Sequence, residues 1–167
     1  MKTINAYYLD ASALIKLYIS EKRSEIVNKL VAKQSQIYTT TLCVAEALRV
    51  FKRVHLVKQK PPNTKAYANC CLDLISTIND ENIIIDDQSF LDRETYEETE
   101  KLILKYEIDL SDMLQILSIK SSLPQRSEIK TFLITDDEGL FCAAKCENIN
   151  TIWLRDQDVY KKLELEP

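Results

Sequence analysis

Short apolar runs rich in β-branched and aromatic residues alternate along the chain with longer stretches in which apolar residues have helical spacing. The short runs predict β-strands at residues 6–9, 36–40, 82–86, 131–135 and 151–154. The longer stretches predict helices over 11–20, 24–33, 41–60, 65–78, 89–106, about 110–121, 137–147 and 156–167, with a loop at 122–130. Strands that alternate with helices favour parallel pairing. The predicted fold class is therefore α/β, a three-layer α/β/α sandwich around four or five parallel strands.

Two helix boundaries have clear local signals. The helix over 41–60 ends at Pro61 and Pro62, because proline disfavours continuation. The helix that ends near residue 121 begins at Asp109 or Ser111, since both residue types are good N-caps. At 167 residues, the chain is expected to form a single domain over 1–167, and residues at about 52–78 are a candidate helical extension.

Composition excludes several classes of enzyme. Gly139 is the only glycine, so the chain has neither a dinucleotide-binding G-x-G-x-x-G turn nor a P-loop. His55 is the only histidine, which excludes H-E-x-x-H zinc peptidases, two-histidine iron sites and histidine-pair ribonuclease chemistry. Any catalysis must therefore rest mostly on carboxylates.

The cysteines and the apolar runs bear on the compartment. The five cysteines are odd in number and lack C-x-x-C spacing, which predicts reduced, buried, structural thiols rather than disulfides or a zinc ribbon. The N-terminal residues lack a signal-peptide core, and no apolar run approaches the roughly 18 residues of a membrane helix. We expect a cytoplasmic protein with no membrane partner. The net charge of −4 argues weakly against a nucleic-acid partner.

Acidic residues follow three of the predicted strands, where α/β sheets place their ligand sites. Asp10 follows the first strand. Asp86 and Asp87 follow the third strand, and Asp136 and Asp137 follow the fourth. Each of these residues is also a good helix N-cap, so capping alone accounts for any one of them.

Two further acids lie in helices with apolar surroundings. Glu46 has apolar residues one turn to either side on its own face, although an exposed position with an ion pair to Arg49 or Arg53 is an alternative. Asp112 lies in a helix that is apolar nearly all round. An ionised carboxylate rarely stays buried unless it is paired, hydrogen-bonded or metal-bound. Asp112 also lies in the first turn of its helix, where the helix dipole favours an anion, and this is a structural reason for an acid at that position.

Together, these acids predict a shared cleft formed by Asp10, Glu46, Asp112 and an acid after the penultimate strand. Carboxylates a few ångströms apart repel one another, and some take up protons unless a cation is present. Mg²⁺ and Mn²⁺ relieve that repulsion and are well suited to oxygen ligands. The pattern therefore predicts a divalent-metal site.

Four segments resemble the motifs of the PIN-domain family, and within it the VapC-type toxins of toxin–antitoxin modules. YLDASALIKLY resembles the family's strand followed by D-x-S, and TTLCVAEALRVF its T-x-x-x-x-E helix. LSDMLQILSI resembles its aspartate-bearing helix start, and LITDDEGL its L-x-T-x-D turn. Two features depart from the family. Met113 stands where alanine is usual, which narrows the site, and the chain at about 52–78 is longer than in compact toxins.

The resemblance implies a catalytic metal site, with Mg²⁺ or Mn²⁺ as cofactor, on Asp10, Glu46, Asp112 and Asp137. It also implies that Ser12 and Thr135 orient a carboxylate or a water molecule. Asp136 falls on a variable position beside the ligands, where it is expected to support them. Asp86 and Asp87 match no site position of the family, so helix capping is the role expected for them.

The expected chemistry is endonucleolytic hydrolysis of RNA phosphodiester bonds. As the resemblance implies, a PIN-like site would hold one or two metal ions, which would lower the pKa of a bound water and neutralise charge on the scissile phosphate. The resulting hydroxide would attack phosphorus in line and expel the ribose 3′ oxygen, which leaves a 5′ phosphate. Asp10 and Asp137 are expected as direct ligands and Asp112 as a ligand or a holder of bound water. Glu46 is the candidate to orient or deprotonate the nucleophile.

Two other classes of function stay open from the sequence. A PIN scaffold without catalysis would act as a protein- or RNA-binding module, and the intact acids argue against it. A phosphatase with Asp10 as its nucleophile typically requires a D-x-D turn, but Ser12 occupies the place of the second acid.

Basic residues beside the predicted site suggest RNA binding. Arg49, Lys52 and Arg53 follow Glu46 on the same helix and are the predicted RNA contacts, with a solvated helix face as the alternative. A second small basic cluster follows the Asp10 motif: Lys16, Lys22 and Arg23.

The remaining apolar and aromatic features have two interpretations each. Tyr7, Tyr8, Tyr18 and Tyr38 either stack on bases or pack in the core. The resemblance implies a homodimer and a cognate antitoxin, and the apolar faces at 14–18 and 26–31 serve one of these partners or the core.

Overall fold

The computed structural model describes residues 4–33, 36–89, 91–122 and 129–166. Within these ranges five strands form one parallel sheet in the order β3-β2-β1-β4-β5. The strands are β1 Ile4–Leu9, β2 Gln36–Thr39, β3 Ile84–Ile85, β4 Ile129–Thr135 and β5 Thr151–Trp153. The helices are α1 Ala11–Ile15, α2 Ser24–Ala32, α3 Thr41–Lys52, α4 Thr64–Asn79, α5 Arg93–Tyr106, α6 Leu110–Ser122, α7 Glu138–Cys146 and α8 Val159–Lys162.

Alternate side chains of the central strand β1 enter two separate apolar cores. Tyr7 and Leu9 share one core with buried residues of α1, α2, α3, α4 and α8. Ala6 and Tyr8 share the other with α5, α6 and α7. This alternation is the period-2 pattern of a strand covered on both faces. The predicted three-layer sandwich around a parallel sheet is confirmed.

The segment at about 52–78 adds helical structure to the first core. The predicted helix over 41–60 is regular only to Lys52 and continues as a π-helical turn over Arg53–Lys58. Helix α4 then packs beside α3, with Cys70 and Leu74 buried in the core. Leu72 and Ile75 lie on the opposite, exposed side of α4.

Several predicted helices are too long at their ends. Helix α1 ends at Ile15, because the amides of Leu17 and Tyr18 bond to carbonyls three residues back, in a tighter turn. Helix α5 begins at Arg93 rather than at residue 89, because the Asp92 carboxylate accepts a hydrogen bond from an amide of the first turn.

Two further boundaries differ in the C-terminal half of the chain. Helix α8 spans only Val159–Lys162 rather than 156–167, with Asp158 as its N-cap and a positive φ of 53° at Glu164 just after it. Arg23 donates hydrogen bonds to the carbonyls of Leu154 and Asp156, in the turn before α8. The predicted loop at 122–130 is shorter, since Ser122 is helical and β4 begins at Ile129. The rest of that loop, 123–128, lies outside the described residues.

Burial corrects one expectation and decides two others. All five cysteines are free thiols, and Cys43 and Cys70 are buried as predicted. The prediction is wrong for Cys142 and Cys146, which lie on the exposed face of α7, and Cys71 is only half-buried. The sheet tyrosines Tyr7, Tyr8 and Tyr38 are buried, and the apolar faces at 14–18 and 26–31 pack in or against the first core. Both features are therefore core structure. No described helix is both long and apolar enough to cross a membrane.

Candidate metal centre

The chain reverses its direction of travel across the sheet between β1 and β4. From β1 it proceeds outward to β2 and β3, and then returns to β4 and β5 on the other side. In open parallel sheets this switch point leaves a crevice at the carboxyl ends of the two strands. Asp10 directly follows β1, and Asp137 lies two residues beyond the end of β4. The topology therefore brings these two acids to one crevice.

Asp10 is a buried carboxylate held by several donors. Its Oδ1 accepts a hydrogen bond from the Ala13 amide at 2.7 Å, which caps α1. The Ser12 hydroxyl lies 2.8 Å from both carboxylate oxygens, and the Thr135 hydroxyl donates to Oδ2 at 2.6 Å. Burial raises the pKa of Asp10 to about 6 despite these bonds, and the nearby Asp137 adds to the increase. The donors fix the carboxylate rigidly at the base of the crevice.

The hydroxyls of Ser12 and Thr135 connect Asp10 to the turn after β4. The Ser12 Oγ accepts a hydrogen bond from the Asp136 amide at 2.8 Å. The Thr135 Oγ1 accepts one from the Asp137 amide at 2.9 Å. Each hydroxyl thus donates to Asp10 and accepts from the turn, so hydrogen bonds join the two strand ends.

Asp137 caps α7 and lies against the only glycine. Its Oδ1 accepts a hydrogen bond from the Leu140 amide at 2.8 Å, while the residue as a whole is exposed toward the crevice. A Cβ added at Gly139 would lie 3.2 Å from that Oδ1 and 3.4 Å from Ile108 Cγ2. A side chain at position 139 would therefore press on the carboxylate.

Helices α3 and α6 supply the other two acids. The Ser111 hydroxyl donates to Glu46 Oε1 at 2.6 Å, which joins the two helices at the crevice. Asp112, the next residue of α6, has no hydrogen-bond donor among the described residues. Burial raises the pKa of Asp112 to about 7, with further increases from Asp10, Asp137, Glu46 and Asp109.

The four predicted acids line one cavity of about 340 Å³. Its lining residues are Asp10, Ala11, Ser12, Ile15, Glu46, Arg49, Val50, Arg53, Asp109, Ser111, Asp112 and Asp137. Among the described residues, no three acidic, cysteine or histidine side chains already surround a common metal position. The candidate metal ligands are nevertheless all carboxylate oxygens, and two of the acids have raised pKa values. This chemistry fits a hard divalent cation, which would require side-chain rotation to gather its ligands.

The predicted RNA contacts divide into two groups. Arg49 and Arg53 line the cavity with the acids, whereas Lys52 is exposed outside that lining. Within the described ranges, neither arginine lies within 4.0 Å ion-pair distance of Glu46, whose partner is Ser111 instead. Among the described residues, neither guanidinium group forms an ion pair.

Two members of the second basic cluster, Lys16 and Arg23, have structural partners, whereas Lys22 is exposed. Lys16 is buried, with its Nζ 3.2 Å from Asp136 Oδ2 and 3.4 Å from Glu21. Arg155 Nε lies 3.0 Å from the other oxygen of Asp136. The Asp136 side chain thus pairs with cations, and only its backbone amide contacts the Ser12 hydroxyl beside Asp10.

The expectation that Asp86 and Asp87 act as helix N-caps is wrong, because Asp92 is the N-cap of α5, the helix after β3, and Thr40 is the N-cap of α3. The Asp87 carboxylate accepts hydrogen bonds from the Thr41 amide, at 2.7 Å, and from its hydroxyl at the start of α3. Asp86 instead accepts hydrogen bonds from the hydroxyls of Tyr8 and Ser122. The sheet brings these partners from distant parts of the sequence, so no local pattern predicts the contact.

Two residues of the cavity lining, Asp109 and Ser111, were predicted from the sequence to cap a helix and not to belong to the site. Ser111 lies inside α6 and donates a hydrogen bond to Glu46, and Asp109 is one of the residues that line the cavity. Both residues belong to the segment IDLSDM, which also contains Asp112. Their closeness to Asp112 is the sequence signal that could have identified them as site residues.

The fold and the crevice define an α/β protein with a carboxylate centre at the carboxyl edge of a parallel sheet. A sequence model of the PIN domain matches residues 7–145, so the chain belongs to the PIN-domain family. It therefore has a nuclease-type fold, and PIN domains typically use divalent metal ions.

Comparison with solved structures supports the same fold. The crystal structure of PAE2754 from Pyrobaculum aerophilum is similar, with a TM-score of 0.60 at 15% sequence identity. The alignment covers 97% of this chain and 94% of that protein, and at this identity it concerns the fold. No curated protein sequence matches the chain.

Proposed function

We propose that the protein is a divalent-metal-dependent endoribonuclease. The observation that carries this proposal is that Asp10, Glu46, Asp112 and Asp137, drawn from four parts of the chain, line one cavity. None of the four acids forms an ion pair with a lysine or arginine among the described residues. The raised pKa values of Asp10 and Asp112 reflect burial and mutual repulsion. A bound cation would relieve that repulsion.

The carboxylate of Asp10 differs from those of the other acids in how firmly hydrogen bonds hold it. Asp10 is fixed by Ser12, Thr135 and the start of α1, so it provides a preformed ligand. Asp112 and Asp137 would complete the set of ligands. Bound Mg²⁺ or Mn²⁺ would supply Lewis-acid activation of water and stabilise charge on the phosphate. Glu46, oriented by Ser111, is placed to position or deprotonate the nucleophilic water.

Substrate binding follows from the wall of the same cavity. Arg49 and Arg53 lie one and two turns after Glu46 on the helical segment that forms this wall. Their charges would attract RNA phosphates to a crevice that is otherwise acidic. Lys52, on the neighbouring exposed face, would contact flanking phosphates.

The finer assignment is that this nuclease is the toxin of a VapC-type toxin–antitoxin pair. The support is the four motifs named above, which occur in the order found in such toxins. We expect a cytoplasmic homodimer that binds a cognate antitoxin. Light scattering of the purified protein tests the dimer. Relief of growth arrest by a small neighbouring gene tests the antitoxin.

Cleavage of a circular single-stranded RNA tests the proposed function directly. With Mn²⁺ the wild-type protein should linearise the circle, which only an endonuclease does, and the products should carry 5′ phosphates. EDTA should abolish cleavage, and excess Mn²⁺ should restore it. Binding of RNA without cleavage at any metal concentration would instead support an inactive binding scaffold.

A further inference from the structure

The peptide that joins Leu9 to Asp10 is held by three separate elements. The Asp10 amide donates to the Ile134 carbonyl of β4 at 3.2 Å. On the opposite side, the Leu9 carbonyl accepts from the Thr39 hydroxyl of β2 at 2.8 Å and from Gln115 Nε2 of α6 at 2.9 Å. The peptide immediately before the candidate metal ligand is therefore clamped from both sides.

Side chains provide this clamp where the backbone ladder stops. The pairing of β1 with β2 ends at Tyr8 and Tyr38, one residue before Leu9. The Leu9 carbonyl is buried at that point and requires donors other than water. Thr39 and Gln115, each fully buried, provide them.

Gln115 is an unusual residue for its position. It lies on the buried part of an apolar helix, three residues after Asp112, and its Oε1 has no hydrogen-bond partner within the described residues. An apolar side chain of similar length would fill the space without burying an unpaired acceptor. The specific gain from glutamine is its bond to Leu9, since only the NH₂ end of the amide can donate to a carbonyl.

We propose that Gln115 and Thr39 are positioning residues that set the location of the Asp10 carboxylate for metal binding. This inference rests on the proposed metal-dependent function. The clamp ties Asp10 to the two elements that lead to the other acids. Gln115 shares α6 with Asp112, and Thr39 directly precedes Thr40, the N-cap of α3, which carries Glu46. Loss of either bond would free the strand end and misplace the ligand.

Calorimetric titration of Mn²⁺ into EDTA-stripped, dialysed protein tests the clamp without relying on activity. Gln115→Met removes the hydrogen bond and keeps the length of the side chain. Thr39→Val removes the hydroxyl and keeps the shape, while Thr39→Ser keeps the hydroxyl and removes a methyl group. Groups that orient metal ligands typically change affinity by about 10–100-fold when they are removed. We expect about tenfold weaker Mn²⁺ binding in Gln115→Met and Thr39→Val, and near wild-type binding in Thr39→Ser.

Thermal unfolding without metal separates positioning from stability. Gln115→Met should unfold at the wild-type temperature or above, because it removes a buried unpaired acceptor. Weaker Mn²⁺ binding in a variant of undiminished stability is the expected signature. Wild-type affinity in both Gln115→Met and Thr39→Val would overturn the clamp, as would equal losses in Thr39→Val and Thr39→Ser. If the wild-type protein itself binds no Mn²⁺, the proposed function fails rather than the clamp alone.

Discussion

Two clusters of ionisable residues in this protein show opposite electrostatics. Glu147, which follows α7, accepts a hydrogen bond from the Tyr106 hydroxyl at 2.6 Å, and it pairs with Lys120 at 3.0 Å and Lys105 at 3.1 Å. These partners, Tyr106 first, lower the pKa of Glu147 to about 2. In the crevice, burial and neighbouring carboxylates raise the pKa of Asp112 to about 7.

The difference lies in where the compensating charge comes from. At Glu147 the chain supplies its own cations, from α5 and α6, so the cluster ties three helices together. At the crevice several acids meet, and the arginines in the lining are not paired with Glu46 within the described part of the chain. A cluster with its own cations is structural, whereas a cluster that needs one from outside is a candidate centre.

The largest expected effect separates the two clusters by catalysis. Asp112→Asn should reduce Mn²⁺-dependent RNA cleavage more than about 100-fold, because metal-ion catalysis contributes several kcal/mol. Glu147→Gln is the matched control, since it also replaces a carboxylate by an amide, and it should keep wild-type activity. Initial rates at saturating Mn²⁺ provide the measurement. Full activity in both Asp112→Asn and Asp10→Asn would show that the centre lies elsewhere.

Charge reversal at the crevice wall should affect RNA binding next. Arg49→Glu with Arg53→Glu should weaken binding at low salt by about tenfold or more. The slope of log affinity against log salt concentration should become shallower by about one for each arginine that no longer binds a phosphate. Binding is measured by fluorescence anisotropy in EDTA, where no cleavage occurs.

The matched control for this prediction lies on α5. Arg93→Glu with Lys101→Glu makes the same change in net charge on an exposed face outside the cavity lining. If both double variants lose affinity equally, net charge alone explains the effect, and Arg49 and Arg53 form a solvated helix face.

Stability without metal should change in opposite directions in the two clusters. Asp112→Asn removes repulsion and should raise the free energy of unfolding by about 1 kcal/mol, since solvent screens part of the interaction. Glu147→Gln removes two ion pairs and should lower it by about 1 kcal/mol. For a chain of this size, each change shifts the Tm by roughly 2–4 °C. Calorimetry in EDTA at neutral pH checks the signs, and a shared sign would remove the distinction between the clusters.

The pH dependence of stability should distinguish the clusters by a smaller effect. The folded protein holds a proton on Asp112 up to a pKa of about 7, whereas the unfolded chain releases it near the ordinary value of 3.8. Its contribution to stability therefore falls as the pH rises between about 4 and 7.

Glu147 has the opposite sign, because its pKa is lowered from 4.5 to about 2. Its stabilising contribution is complete above about pH 4.5 and disappears as the pH falls toward 2. Stability can be measured by urea unfolding across pH 3–8. As the pH rises from about 4 to 7, the free energy of unfolding should decline less steeply in Asp112→Asn than in the wild-type protein. The Glu147→Gln variant should differ from wild type least at low pH. Parallel curves for all three proteins would contradict both assignments.

The fold and the four acids could be predicted from sequence because their signals are local. A carboxylate directly after an apolar strand, as at Asp10, or inside an apolar helix, as at Asp112, is visible in a short window. Parallel strands then bring such positions to one edge of the sheet. The Leu9 clamp was missed, although Gln115 lies in the same apolar segment as Asp112 and carries the same kind of signal.

Other features required tertiary structure. Glu147 and its partners lie 27 to 42 residues apart, in segments where charged residues are ordinary surface composition. Asp86 has the sequence context of a cap, but it contacts Tyr8 across the sheet. The early end of α1 also depends on a tight turn, in which amides bond to carbonyls three residues back. The spacing of apolar residues along the sequence does not specify such a turn.

Direct titration of Mn²⁺ into the metal-free protein at pH 8 tests the central claim that the crevice is a divalent-metal centre. The wild-type protein and Glu147→Gln should bind with the same affinity, and Asp112→Asn should bind at least about tenfold more weakly. Equal binding by wild type and Asp112→Asn, or no binding by the wild-type protein, would contradict the account.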